Sequence, residues 1–428
     1  MTKFSYICVK LNLNNKLTMK RFLLIVASAA MFVATATAQV VQQPVVYKTG
    51  TGIRLYDRTV PRTEIILPKI KGYTLYKGDF HVHTIYSDGD VTPRERMREA
   101  WYDGLDVIAI TDHLEIRTYE KFMLKALQPY SKDGEPFVYQ NAGAGNKKNQ
   151  DAPMMSNLNA GYEEALQYVE REQIQVLPIR ATEIWRRPSE VGEFNALFLQ
   201  DINAICDKDL FECFRRVKEQ GGILIHNHPG WSRKTMEKSE VQVRAYSEGW
   251  ISGVECVNST TLYPTIIDRC IDEKLTMFAN TDVHRPSSQV WARGCGIFRT
   301  MTFIMAKECT EKAIKDAILK RRTIAYSANN LIGEEMWLDE FLNAAVTCEL
   351  LEVNEKKGVR VFQLTNTCSI PFLLRRGTAL YTLNPFQSLR VSISRNKETG
   401  EFYKPEFQVD NMWSSGDKHP RLTLKIDK

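Results

Sequence analysis

Six of the chain's seven histidines, His81, His83, His113, His226, His228 and His284, stand in short segments that also carry Asp88, Asp112, Glu183 and Asp282. Imidazoles mixed with carboxylates, without thiolates, form the donor set of a zinc, manganese or iron site rather than of a structural cysteine-rich zinc. The densest segment runs Gly78-Asp79-Phe80-His81-Val82-His83-Thr84-Ile85-Tyr86-Ser87-Asp88-Gly89. His81 and His83 are two apart, so on an extended strand both rings leave the same face. The turn residues Ser87, Asp88 and Gly89 would leave them at the strand's C-terminal edge, where barrel and open-sheet enzymes keep their chemistry. One His-x-His pair alone is more often a pair of surface or core histidines. The recurrence of such residues at successive strand ends argues for a shared metal site.

The elements that must position these residues alternate. A strand is expected over 73–83, a helix over 93–103 with Pro93 in its first turn, and an apolar strand over 105–110 that ends in Thr111-Asp112-His113. Residues 120–159 lack a clear period and suggest an excursion over the active face. A helix at 161–172 and strands at 174–179 and 194–199 follow, the first of these strands leading to Glu183. A helix at 209–220 stops at Gly221-Gly222 before a strand at 223–225 that ends His226-Asn227-His228. Strands at 253–257 and 275–279 complete the series, the latter leading to Asp282-Val283-His284. Strand, helix, strand in repeated order predicts a parallel sheet or barrel of about seven strands with helices outside, on whose single mouth the strand ends would converge. After residue 331 short alternating runs at 350–353, 359–365, 380–383, 389–394 and 422–426 predict an antiparallel β unit of about 90 residues.

Residues 19–38 have a basic start, an apolar run and an Ala36-Thr37-Ala38 exit, the pattern of a secretory signal, so export to a periplasm or the medium is expected. Removing residues 1–38 takes away five basic residues and no acidic ones, which lowers the formal charge from +6 to +1. The balance then gives no support for a nucleic-acid partner, and no membrane anchor is expected after cleavage. Export permits disulfides. Cys348 and Cys368, on neighbouring expected strands, are the pair that sequence singles out.

In order, His81-Val82-His83-Thr84 with Ser87-Asp88-Gly89, Thr111-Asp112-His113, Glu183, His228-Pro229-Gly230 and Asp282-Val283-His284 resemble the motifs of the PHP (polymerase and histidinol phosphatase) superfamily of phosphoesterases. The likeness covers about residues 73–330, and the stretches 99–106, 227–231 and 301–307 resemble its exported phosphodiesterase branch. The resemblance implies an α/β fold: a distorted (β/α)7 PHP-type barrel at 73–332, followed by a small antiparallel, sandwich-like β domain at 333–428. An extended arm at 39–72 would precede the barrel. It also implies two or three divalent ions, Zn, Mn or Fe. His81, His83, Glu183 and Asp282 would hold the first; Glu183 would bridge to a second, shared with His228; Asp88, His113 and His284 would hold a third. Before residues like Phe194-Asn195-Ala196 the family usually carries a histidine, and this chain has Glu193. A carboxylate there is still a ligand and shifts preference toward harder ions such as Mn²⁺ or Mg²⁺.

The expected activity is hydrolysis of a small phosphate ester, a diester rather than a monoester, by a water that the ions activate. Candidate sources of the leaving-group proton are a metal-bound water, Asp112 and His226, although Asp112 is equally suited to orient a ligand or cap a segment, and His226 to pack within its strand. Arg285, with Arg186, Arg187 and Arg293, is a candidate phosphate clamp. Trp185, Trp231 and Trp291 are candidates to wall an apolar substrate group. Two alternatives keep the same residues: a metal-dependent hydrolase of a carboxyl or amide substrate, and a non-catalytic scaffold whose β domain binds a polymer.

Overall fold

The computed structural model describes residues 45–46, 53–54, 62–117, 139–140, 153–154, 157–185, 191–231, 233, 235–291 and 296–427. Residues 1–38, with the signal pattern, lie outside the described residues, as do most of 39–61 and most of the excursion at 120–156. Val45–Val46 and Ile53–Arg54 pair antiparallel in a unit of their own.

Strand β1 (Thr74–Val82) carries the first histidines and ends in a turn where the Thr84 carbonyl accepts from the N–H groups of Ser87 at 3.0 Å and Gly89 at 2.9 Å. Only glycine fits position 89, because a Cβ there would lie 2.6 Å from the His83 carbonyl carbon and oxygen. Helix α1 (Pro93–Tyr102) starts where sequence expects, with the Thr92 hydroxyl accepting from Glu95 N at 3.2 Å and Pro93 in the first turn. Strand β2 (Val107–Ile110), helix α2 (Ala160–Glu172) and strand β3 (Leu177–Trp185) follow. Next come β4 (Glu193–Leu197), α3 (Leu210–Glu219), β5 (Ile223–His226), α4 (Glu240–Ser247), β6 (Ile251–Asn258), α5 (Pro264–Asp272) and β7 (Thr276–Asn280). The barrel region closes with β8 (Met301–Ala306), α6 (Glu311–Leu319), β9 (Thr323–Ser327) and β10 (Asn330–Ile332).

These strands form one curled, mixed half-barrel sheet in the order β6-β5-β4-β3-β2-β1-β8-β9-β10, with β7 also on β6. The α/β class and the barrel-like sheet agree with the expectation from sequence; an all-parallel sheet does not. Strands β1, β2 and β3 run parallel, as do β5, β6 and β7, but β4 is antiparallel to both β3 and β5. A parallel neighbour needs a crossover of roughly a dozen residues or more. Only residues 186–192 separate β3 from β4, so the chain folds back as a hairpin. The reversal brings the N-terminal end of β4, where Glu193 stands, to the C-terminal mouth of its neighbours. Strands β8, β9 and β10 are antiparallel additions beyond β1.

The open seam between β7 and β1, β8 and β9 is bridged largely by side chains. Phe80 N donates to Asn280 Oδ1 at 2.9 Å, Thr302 Oγ1 to the Ala279 carbonyl at 2.9 Å and Thr323 Oγ1 to the Met277 carbonyl at 3.1 Å. At the mouth the backbones meet directly, with Asp282 N on the His81 carbonyl at 2.8 Å and His83 N on the Val283 carbonyl at 3.1 Å. The buried Arg96 of α1 then clips both ends. It donates to the carbonyls of His83, Val283, His284 and Arg285 at 2.7–2.9 Å and to Glu99 at 2.6 Å.

Beyond residue 332 the expected antiparallel β unit is present as two sheets, preceded by a helix that the alternating pattern did not predict, α7 (Glu335–Ala345). One sheet joins β11 (Val346–Asn354), β12 (Val359–Asn366) and β15 (Ser388–Ser394); the other joins β13 (Phe372–Arg376), β14 (Ala379–Leu383), β16 (Glu406–Val409) and β18 (Arg421–Thr423). The short β17 (Met412–Trp413) returns to pair with β10. One apolar cluster runs from Val82, Phe303 and Tyr326 through Trp337 and Phe341 of α7 to Phe362, Phe372 and Phe407. The described cysteines are free. Cys348 stands opposite Leu364 rather than Cys368, so the bridge that sequence singled out is not formed.

Replacing Arg96 by Met should strand several buried carbonyls and the Glu99 carboxylate. The expected outcome is a loss of about 3–5 kcal/mol in urea unfolding, with metal content reduced because the two ligand-bearing ends separate.

Candidate metal centre

Five imidazoles and four carboxylates meet at the mouth. In the first group His81 Nε2 and His83 Nε2 are 3.1 Å apart, and each faces Glu183 Oε2 at 3.3 Å. Asp282 Oδ1 lies 3.3 Å from His81 Nε2 and 3.1 Å from His83 Nε2. Donor atoms held about 2.1 Å from one cation stand about 3.0 Å apart along an octahedral edge and about 3.4 Å along a tetrahedral one. These contacts therefore have the spacing of a coordination shell.

The other donors sit on either side. Asp88 Oδ1 is 3.4 Å from His284 Nε2 and 3.5 Å from His83 Nδ1, and Asp88 Oδ2 is 3.4 Å from His113 Nε2. On the far side His228 Nε2 is 3.5 Å from Glu193 Oε2, 3.6 Å from Glu183 Oε1 and 3.8 Å from Asp282 Oδ2. All nine expected ligands are thus brought together. Three overlapping groups have donor atoms close enough to share a cation: His83 with Asp88, His113 and His284; His81 with His83 and Asp282; His81 with Glu183 and His228.

Two observations test whether cations fit. Asp88 Oδ1 and His113 Nδ1 are buried without a hydrogen-bond partner, which is costly for polar atoms unless something else satisfies them. Two ligands also hold a backbone that non-glycine residues avoid, with φ of 52° at Asp282 and 20° at His228. The donor set fits divalent ions. Without them the cluster neutralises itself with protons. Burial disfavours a charged His81, yet the charges of Asp282, Glu183 and Glu255 hold its pKa well above the ordinary value. Burial acts likewise on His228, which the Glu183 contact and the Asp282 and Glu193 charges raise to about 9. Burial would raise Glu183, but the His81 and His113 charges hold it well below the ordinary range. Glu193 is pushed up to about 7 by burial and by the neighbouring Glu183 charge.

A family model described as PHP domain matches residues 79–260. A two-domain protein from Bacteroides vulgatus, described as containing a predicted PHP-like metal-dependent phosphoesterase, is 31% identical in its crystal structure. The match covers 86% of this chain and 99% of that one, with a TM-score of 0.72. The chain belongs to the PHP family of metal-dependent phosphoesterases. Two further likenesses to this PHP protein are narrower. An uncharacterised protein from Methanocaldococcus jannaschii is 43% identical over 47 residues, which is 11% of this chain and 22% of that protein's length. A lesion-specific endonuclease from Pyrococcus furiosus is 14% identical, with 64% of this chain and 62% of that one covered and a TM-score of 0.37, and bears on neither activity nor substrate.

Other residues singled out by sequence lie around the PHP centre rather than in it. The Asp112 carboxylate accepts from Thr84 N at 2.7 Å, Thr84 Oγ1 at 2.6 Å and Ser87 Oγ at 2.6 Å, and so holds the turn that presents Asp88. His226 stacks on Phe194 and contacts the Tyr246 hydroxyl through Nδ1 at 2.7 Å; burial and the Arg269 charge lower its pKa to about 3. The Arg285 side chain is exposed, and its carbonyl is the group Arg96 holds. Arg186, Arg187 and Arg293 lie outside the described residues.

Glu255 was missed. It is fully buried on β6 and accepts from His81 Nδ1 at 2.8 Å, His228 N at 2.8 Å, Asn280 Nδ2 at 2.9 Å and Asn258 Nδ2 at 3.0 Å. The first bond favours a proton on His81 Nδ1, which would leave Nε2 to serve as the ligand atom when an ion is bound; the second supports His228 in its strained backbone. A carboxylate inside the apolar run Gly253-Val254-Glu255-Cys256-Val257 was the available signal. Asn227 was missed too. Its Nδ2 donates to Glu183 Oε1 at 2.6 Å.

Glu255→Ala should weaken the tightest divalent site about 10- to 100-fold in a competition titration. The raised imidazole pKa values set a pH dependence as well. Ligation requires each His to lose the proton it holds below its pKa. Affinity measured at fixed ionic strength should therefore rise as the pH is raised from 7 through about 9, where His228 gives up its proton.

Proposed function

We propose that this PHP protein is an exported phosphodiesterase that works with two or three divalent ions. The observation that carries the reading is the sharing of Glu183. Its Oε2 faces His81, His83 and His113 at 3.2–3.3 Å, while its Oε1 faces His228 at 3.6 Å. A carboxylate with each oxygen turned to a different donor group is the bridge a multinuclear site needs. The ions, when bound, supply Lewis acidity and lower the pKa of coordinated water. N and O donors suit Zn, Mn or Fe, and the second carboxylate from Glu193 favours Mn at that position.

The protein's own residues hold and shape the mouth. Asp112 braces the turn of Asp88, Glu255 and Asn227 orient ligands on the opposite side, and Arg96 locks the two strand ends. Asp112 and His226 are engaged elsewhere and are not placed to protonate the leaving oxygen. The lining joins carboxylates and imidazoles to Ile116, Trp185 and Trp231. That mixture suits a singly charged diester with an apolar substituent better than a monoester dianion. Export rests on the pattern of residues 19–38. Among the described residues no helix is long and apolar enough to cross a membrane.

A chelator should abolish hydrolysis of bis(p-nitrophenyl) phosphate, and Mn²⁺ or Zn²⁺ should restore it. The Asp282→Ala, His284→Ala double variant should lose on the order of 10² or more in kcat/KM. Undiminished turnover in that variant, or faster hydrolysis of carboxyl esters or amides than of phosphate esters, overturns the reading.

A further inference from the structure

Three tryptophans follow metal-site motifs in sequence, and the structure separates them. Trp185 and Trp231 line the same cavity as the ligands, a space of about 310 Å³. Trp291 instead packs on the core cluster, with the Arg299 guanidinium 5.6 Å from its ring. Trp231 is 71% exposed, although tryptophan carries one of the largest apolar surfaces of any side chain. Exposed isoleucines and valines elsewhere are ordinary; an indole left open beside a catalytic mouth is not.

That indole is firmly based. Trp231 N donates to the His228 carbonyl at 2.9 Å and closes the turn His228-Pro229-Gly230-Trp231. The turn is packed from behind, since a Cβ on Gly230 would lie 2.6 Å from Met236 Cε and 2.9 Å from Tyr263 Cε1. The indole meets the ring of His228 edge-on, with centroids 5.7 Å apart and planes at 61°. Its backbone is therefore fixed to a metal-site residue. Across the hairpin, Trp185 stands two residues after Glu183 on β3, with its N–H held by Glu115 Oε2 at 2.9 Å. A planar group on a phosphorus seated among the donors would find pre-positioned aromatic surface, and stacking on such a surface needs little ordering of the protein. The cavity lies at the small end of ligand pockets and is large enough for a phosphoryl group and a ring system.

We propose that Trp185 and Trp231 form a stacking platform that selects phosphate esters bearing a flat aromatic substituent, an aryl group or a nucleobase. The proposal rests on the phosphoesterase reading of the same mouth. Binding of non-hydrolysable probes tests it apart from turnover. On the Mn²⁺-loaded protein, phenylphosphonate should compete about tenfold better than butylphosphonate. Trp231→Ala should remove that preference by weakening phenylphosphonate about tenfold and leaving butylphosphonate unchanged, Trp231→Phe should restore most of it, and metal content should be the same in all three proteins. The non-hydrolysable methylenephosphonate analogue of thymidine 5′-phosphate binding above phenylphosphonate, and losing affinity in the same variant, would identify the ring as a nucleobase; the reverse order would identify an aryl group. Equal binding of the phenyl and butyl probes to the unaltered protein, or equal losses for both in Trp231→Ala, overturns the platform. Absence of chelator-sensitive hydrolysis alongside an intact phenyl preference would overturn the phosphoesterase reading alone.

Discussion

Glu183 is a carboxylate almost completely removed from water, and the mouth is arranged around keeping it charged. A buried carboxylate on its own would take up a proton. Here Oε2 faces three imidazoles and Oε1 takes the Asn227 amide, so the ionised form is held well below the usual carboxylate range. The same carboxylate helps to hold the pKa values of His81, His83 and His228 up. The charges of these groups and of Glu183 stabilise one another, so they titrate together rather than as separate residues. His81, His83 and Asp282 would hold a divalent ion in place of protons, since their donor atoms already stand at coordination-shell spacing. In a site of this kind ion binding adds to the stability of the folded state.

The framework itself depends on groups that never face the mouth. Arg96 collects four carbonyls from the ends that carry His83 and His284. On the opposite face of that junction, Asp79 accepts from Thr281 Oγ1 and from Arg299, which also donates to Asp103 at 2.9 Å. Two buried arginines thus tie β1 to the segment after β7, where the sheet has no continuous ladder. A ladder at that seam would fix strands. Side-chain clips fix particular residues, which is what a set of ligands drawn from distant parts of the chain requires.

The ligands themselves were largely legible in sequence. Period-two spacing put His81 and His83 on one face, and turn residues marked where their strand stops. Polar residues such as Asp112 and Asp282 shortly after apolar runs marked further strand ends, whereas Glu183 lies within β3, which runs on to Trp185 beyond the strand expected at 174–179. The direction of β4 was not legible from periodicity, which is blind to strand polarity; the length of the 186–192 connection carried that information. Glu193 entered from resemblance and is explained by the hairpin. Glu255 and Arg96 were invisible for another reason. Their partners lie 174 and up to 189 residues away, and nothing local distinguishes a buried guanidinium on a charged helix from a solvated one. The helices α4, α5, α6 and α7 were passed over although, at 8 to 11 residues, they are no shorter as a group than α1 and α3, at 10 residues each, which were expected.

Several departures from local rules meet at the mouth, although others of the same kinds are spread through the described residues. Asp282 and His228 adopt backbone conformations that favour glycine, Asp88 Oδ1 and His113 Nδ1 are buried without hydrogen bonds, and Trp231 leaves its ring in solvent. Any one of these alone would be an ordinary local irregularity. Together they surround a single cavity, while the apolar cluster running from the barrel through α7 into the C-terminal sheets obeys burial rules throughout. Stability gained in that cluster offsets strain at the mouth. This gives the C-terminal β unit a physical role without chemistry of its own: it completes the core on which Val82, one residue from His83, is packed. The rigidity of the ligand set is then a property of the whole molecule from β1 to β18 rather than of the barrel alone.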